Sequence, residues 1–247
     1  MPDGLRLITR GDDAGASRSA NLAIREAWAD GCVRNVSVLA CSPFVAHAAE
    51  LFRDCPGLCV GLHACITCEW LTPRWGPVLP AATVPSLVDK HGHFPPQVAP
   101  GVVAEQLAAE LVAQLARLRG LGLDVRYVDE HMCFRWQVPE ARAVIAELCQ
   151  REGLIDADTL GTGLHRGAAT LPEAVRTAAD GTWVVVGHPC YDDAEMRGIR
   201  LVGRPEVDIG QQRDGERRMF LAPELRTALA ERGARAISYS EAAAGTR

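Results

Sequence analysis

Leu5-Arg6-Leu7-Ile8-Thr9-Arg10-Gly11-Asp12-Asp13-Ala14-Gly15 is a short apolar strand running straight into paired acids and a glycine. An α/β fold gathers its chemistry in the loops beyond the C-terminal strand ends. Acids at the end of a first strand therefore point to an active site. Two later segments repeat the arrangement with histidine: Val60-Gly61-Leu62-His63, and Val125-Arg126-Tyr127-Val128-Asp129-Glu130-His131. A carboxylate and two imidazoles, each just past a strand, can meet on one barrel face and hold a divalent metal.

The surrounding pattern supports that architecture. Apolar runs alternate with helical periodicity, the mark of βα units around a parallel sheet. Strands are predicted at Leu5–Thr9, Val33–Ala40, Leu58–Leu62, Asp124–Val128, Thr182–Val186 and Ala236–Tyr239. Helices are predicted near 19–30, 44–53, 102–119, 138–152, Leu171–Ala179 and 222–232. Asp30-Gly31 stops the first helix, and Leu107, Leu111, Leu115 and Leu118 line one face of the third. Pro139 is the expected first residue of the fourth. The connection 63–101, with Trp70, Trp75 and seven prolines, reads as a functional loop or lid. Leu154–Ala168 is rich in glycine and receives no assignment, and 190–216 reads as a charged loop. A single domain spanning 1–247 is expected, because no linker, repeat or low-complexity run interrupts the pattern.

Composition narrows the function. The net charge of −5 and the lack of any basic cluster argue against nucleic acid or an anionic membrane as partner. No apolar run approaches the ~18 residues of a membrane span. Nine cysteines, scattered inside apolar runs, read as small core residues of a reducing compartment. With no signal-like segment at Met1-Pro2-Asp3-Gly4, a cytoplasmic location is expected. Cys65-Ile66-Thr67-Cys68 lacks a second pair at zinc spacing.

Residue chemistry then suggests roles. Neighbours in extended chain point to opposite sides, so Asp12 and Asp13 can do different jobs. One binds a metal while the other takes a proton from water. Asp and Gly are also common turn residues, and a lone histidine at a strand end often has a structural role. Asp13, His63 and His131 together make a 2-His-1-carboxylate set with open positions. Asp129 and Glu130 are candidate partners for a ligating imidazole. His188, after another strand, is the candidate general acid. His47, His91 and His93 read as structural or solvated. Gly161-Thr162-Gly163 matches no phosphate-binding fingerprint, and Ser37 and Ser42 lack a nucleophile elbow.

Taken in order, these segments resemble the YdjC-like carbohydrate deacetylases, which include chitooligosaccharide deacetylases and a hopanoid-biosynthesis branch. The resemblance is carried by Gly11-Asp12-Asp13-Ala14-Gly15 and by Ala27 to Gly31 through Asn35-Val36-Ser37-Val38. It continues in Pro56 to Thr67, Glu110 to Gln114, Asp129-Glu130-His131 and Gly187-His188-Pro189. It implies an α/β fold of the TIM-like, incomplete or distorted (β/α) barrel type, and removal of an acetyl group from an N-acetylated sugar. It also implies Asp13, His63 and His131 as ligands of one divalent metal ion (Mg2+ or Zn2+), with Asp12 as base and His188 assisting the leaving amine. A homodimer is implied by the resemblance alone. Against the family run H-x-D-S-H-x-H and a later histidine, this chain has Tyr127, Glu130, Cys133 and Arg135. Cys190 replaces the glycine of H-P-G, and 153–182 is shorter than in the family.

The expected activity is a metal-dependent amide hydrolase acting on a small N-acetylated saccharide. Trp70, Trp75 and Tyr127 are candidates for stacking on a sugar ring, although a Trp in a long loop is as often a local packing anchor. Two alternatives stand beside it: an inactive or repurposed barrel that binds carbohydrate, and a metal hydrolase of another amide or ester. A two-carboxylate glycosidase fits poorly, because it needs acids about 5–10 Å apart across the scissile bond, with Glu69 or Asp129 facing Asp12 across a groove.

Overall fold

The computed structural model describes residues 4–164 and 170–245. Residues 165–168 of the unassigned glycine-rich stretch therefore lie outside the described residues. The elements run β1 (Leu5–Ala14), α1 (Arg18–Ala29), β2 (Asn35–Val38), α2 (Val45–Phe52), β3 (Cys59–Ala64), α3 (Ala104–Gly120) and β4 (Val125–Glu130). They continue with α4 (Ala141–Glu152), β5 (Ile155–Asp156), β6 (Thr162–Gly163), α5 (Leu171–Thr177), β7 (Gly181–Gly187), α6 (Ala194–Arg197) and α7 (Ile209–Leu221). The last three are α8 (Pro223–Glu231), β8 (Arg235–Ile237) and α9 (Tyr239–Ala244).

The strands form one sheet in the order β5-β4-β3-β2-β1-β7-β6, with β8 also on β1, and their pairings are parallel. β7 runs along Leu5–Gly11 of β1. The other edge of β1 is shared, by β8 at Arg6–Ile8 and by β2 from Arg10 to Ala14. Two-residue strands, β5 and β6, end the sheet, and no pairing joins them among the described residues. The result is a curled, incomplete (β/α) barrel.

Strand alternation divides the core. Leu5 and Leu7 face outward onto Val33, Val175, Phe220 and Leu225. Ile8 faces inward onto Tyr127, Ile237 and Tyr239, where β8 and α9 fill the barrel floor. Arg10 and Asp12 share the parity of Ile8, which turns them into the interior. Helices cover the outside. The leucines expected on one face of α3 are all buried, each contributing about 2 kcal/mol.

Some expectations are corrected. β1 runs on through the acids, and α4 begins at Ala141, beyond Pro139. The charged stretch 190–216 is not a loop throughout. It contains α6 and most of α7, a helix capped by Asp208, whose side chain accepts from Gln211 N. Its sequence is polar except at the ends, where Ile209 and Phe220 are buried, so it shows no apolar period. The expected last strand stops at Ile237, and Ser238 and Glu241 form a capping box that starts α9. Among the described residues, no helix is long and apolar enough to cross a membrane.

The long β3–α3 connection is pinned from beneath. Glu110 accepts from Val78 N at 2.8 Å and Leu79 N at 3.0 Å, and Gln114 exchanges hydrogen bonds with both backbone groups of Cys65. Trp70 and Trp75 are buried against each other within it. That rules out the expected stacking role for either indole, and Tyr127 is likewise fully buried.

Candidate metal centre

A bulge at the end of β1 builds the site. Gly11 pairs with Val36 but Ala14 with Val38, so β1 spends an extra residue there. Asp13 takes it up in the left-handed region, at φ 63°. A bulge re-aims side chains. The sequence reading had the acids pointing to opposite sides. Instead, both reach the same imidazole, Asp12 in a group with His63 and Asp129, and Asp13 in a group with His63 and His131. Among the described residues the other non-glycine residues with positive φ are Met132 and Cys133, directly after His131. Such strain costs about 1–3 kcal/mol per residue and gathers at functional sites.

Asp13, His63 and His131 close a small triangle. Asp13 Oδ1 lies 3.1 Å from His131 Nδ1 and 3.4 Å from His63 Nε2, and the two nitrogens are 3.3 Å apart. Asp13 Oδ1 is buried without a properly aligned hydrogen bond among the described residues. The far nitrogen of each imidazole faces a carboxylate: His63 Nδ1 lies 3.1 Å from Asp129 Oδ2, and His131 Nε2 lies 2.9 Å from Glu69 Oε2. Ligating histidines are held in just this way, which fixes ring and tautomer.

Charge fits a cation as well. Asp12, Asp13, Glu69 and Asp129 are answered by Arg10 and Arg213. Once both imidazoles give up their protons to bind an ion, the cluster would carry two uncompensated negative charges, the complement of one divalent ion. Burial pulls the His63 imidazole down, but Asp129 and Asp12 outweigh it and hold its pKa up at about 10. Burial pushes the Asp13 carboxyl up, yet Arg213 and His131 bring it well below the usual carboxylate range. The cluster thus favours positive charge on the His63 imidazole and negative charge on Asp13.

His188 follows β7, whose Gly187 pairs with Gly11. Glu216 on α7 accepts from its backbone N–H and lies 3.1 Å from its Nδ1, and the side chain is 38% exposed. The structure brings Asp12, Asp13, His63 and His131 into one cluster, with His188 at the neighbouring strand end. Sequence reasoning missed Arg10, Arg213 and Glu216, and considered Glu69 only as a glycosidase acid. Arg10 had a signal, since it stands two residues before Asp12 on the same strand face. The others had none.

Residues 6–160, more than half of the chain, match the family described as YdjC-like protein. The chain belongs to the YdjC-like family. A carbohydrate deacetylase of Geobacillus stearothermophilus is 30% identical over 255 residues, covering 95% of this chain and 96% of that one. A chitooligosaccharide deacetylase of Serratia marcescens is 29% identical over 154 residues, covering 60% of this chain and 57% of that one. A solved structure from Enterococcus faecalis V583, described as a candidate cellobiose-phosphate cleavage protein, superimposes with a TM-score of 0.80 at 21% identity. It covers 97% of this chain and 99% of its own, a likeness of fold.

In this YdjC-like chain the departures around His131 compensate one another. Arg135 Nε bonds Glu130, and its two other nitrogens bond Asp156. Tyr127 donates to or accepts from Ser37 at 2.8 Å inside the barrel. Gly61 makes room for its ring, since a Cβ there would lie 2.3 Å from it. Cys133 alone of the four is exposed. Cys65 and Cys68 turn their sulfurs to the carbonyls of Thr67 and Trp70.

Proposed function

We propose that this YdjC-like protein is a metal-dependent carbohydrate deacetylase, hydrolysing the acetamido group of a small N-acetylated saccharide to acetate and a free amine. The observation that carries the reading is the buried triangle of Asp13, His63 and His131 with a carboxylate behind each imidazole. Relatives named carbohydrate deacetylase and chitooligosaccharide deacetylase support the substrate class. Two imidazole nitrogens and one carboxylate suit zinc or another transition ion, with magnesium the second ion to test.

Asp13, His63 and His131 would hold the ion, which supplies Lewis acidity to the acyl oxygen and acidity to water. Asp12 takes the proton as water attacks the acyl carbon. Arg10 grips both oxygens of Asp12 and fixes the direction in which it accepts. As the C–N bond breaks, His188 gives a proton to the departing nitrogen. Glu216 occupies its Nδ1 and leaves Nε2 for that transfer.

The test is metal analysis of the purified protein beside His63→Ala, with acetate assayed on N-acetylglucosamine oligomers. About one metal per chain, lost in the variant, together with acetate release is the expected result. A folded protein that binds no added metal overturns it.

A further inference from the structure

Arg213 reaches from α7 to the end of β1. Its Nη2 lies 2.7 Å from Asp13 Oδ2, and its Cζ lies 5.6 Å from the ring centroid of the buried Trp70. The residue is 9% exposed, and Nη1 is buried with no hydrogen-bond partner among the described residues. The other arginines enclosed near the barrel end differ. Arg10 uses Nε and Nη2 on Asp12 and Nη1 on Tyr239, and Arg135 uses all its nitrogens on Glu130 and Asp156. A buried charged donor without an acceptor costs free energy and calls for an explanation.

We infer that Arg213 Nη1 is the hydrogen-bond donor that receives the substrate's acyl oxygen as negative charge builds on it. The assignment rests on the deacetylase reading above. A guanidinium is a rigid planar fork. With Nη2 committed to the outer oxygen of Asp13, Nη1 is fixed beside the same carboxylate and cannot swing away. The other oxygen of that carboxylate belongs to the ligand triangle, so one carboxylate links the guanidinium to the place where an acyl group would sit to react. Neutralising Asp13 needs one donor and one charge. A lysine would do that. Arginine adds a second, preorganised donor, the kind of group that stabilises a developing oxyanion. Helix α7 also carries Glu216, one turn on, which holds His188. One helix thus supplies a group for the acyl oxygen and a group that orients the acid for the amine.

Arg213→Lys separates the two jobs, because it keeps a charge opposite Asp13 and removes the second donor. Three quantities are measured: zinc affinity, kcat and KM on N-acetylglucosamine oligomers at saturating zinc, and binding of 13C-acetate to the zinc-loaded protein by NMR. The expected result is full zinc loading, kcat lower by about 10²–10³-fold with KM little changed, and acetate affinity lower by about tenfold or more. A lysine variant with kcat near that of the unaltered protein overturns the inference, as does a kcat loss that merely tracks lost zinc. If the unaltered protein releases no acetate, the deacetylase reading falls by itself. The acetate titration then decides Arg213 alone: weakened binding in the variant supports the donor, and undiminished binding overturns it. If the lysine variant misfolds, Arg213→Gly with added ethylguanidinium replaces it. Recovery of kcat supports the assignment, and none at full zinc occupancy overturns it.

Discussion

Arg10 holds Asp12 through two parallel hydrogen bonds, Nε to Oδ1 at 2.7 Å and Nη2 to Oδ2 at 2.9 Å. The same Nη2 lies 3.0 Å from Asp129 Oδ2, which faces His63 Nδ1. One guanidinium therefore sets the direction of the proposed base and of the carboxylate behind a proposed ligand. Arg10→Lys keeps the charge but loses the fork. It is expected to cut kcat by about 10²-fold through misplacement while one metal per chain is retained. Kinetics beside metal analysis checks this.

Asp12 and Asp13 share His63 but pair with different arginines, Arg10 and Arg213, and their variants are expected to separate. Asp12→Asn leaves the ligand triangle intact and lowers kcat by about 10²–10⁴-fold with metal still bound. Asp13→Asn loses metal as well. Equal metal loss in both variants would contradict the division of labour.

Metal removal is expected to cost stability, because an ion that binds the folded state alone shifts unfolding by mass action. At a hundred times its Kd the gain is about 2.7 kcal/mol. For a chain of this size that is roughly 5–10 °C in Tm. Chelator followed by zinc, read by thermal unfolding, gives the shift, and His131→Ala should abolish it.

Acid should act through Glu216. Burial pushes its carboxyl up, but the side chain and backbone N–H of His188 outweigh burial and bring it below the ordinary value of 4.5. A carboxyl depressed in the folded state stabilises above its unfolded pKa and loses that contribution as pH falls through the folded one. The stability gap between the unaltered protein and Glu216→Gln is therefore largest near neutrality and closes below about pH 4.5. Urea midpoints across that range measure it.

Gly61 and Tyr127 test the packed interior. Gly61→Ala drives a methyl to within 2.3 Å of the Tyr127 ring and is expected to cost about 1–3 kcal/mol or more. Tyr127→Phe loses only the bond to Ser37, about 1 kcal/mol. Urea unfolding should rank them in that order.

The strand that carries His63 and the one that leads into His131 were legible because an apolar run followed by a polar residue is a local pattern. So were α1 and α3, whose periods and stops lie within single segments. Helix α7 was not, since its polar sequence earns its place through Ile209, Phe220 and Arg213 on other elements. Trp70 and Trp75 misled for a similar reason. An aromatic in a loop looks the same in sequence whether it faces solvent or packs on a helix.

By itself, the sequence determined the order of βα units and the placing of Asp13, His63 and His131 at three strand ends, since periods of 2 and 3.6 act within a few residues. The tertiary structure decided that a bulge turns Asp13 onto the same imidazole as Asp12. It decided that Glu69 stands behind His131, that Asp129 and not Glu130 stands behind His63, and that α7 brings Arg213 from the far end of the sequence to Asp13 and Glu216 to His188. Those pairings follow from how the sheet curls and which ends it brings together, and no local spacing encodes that.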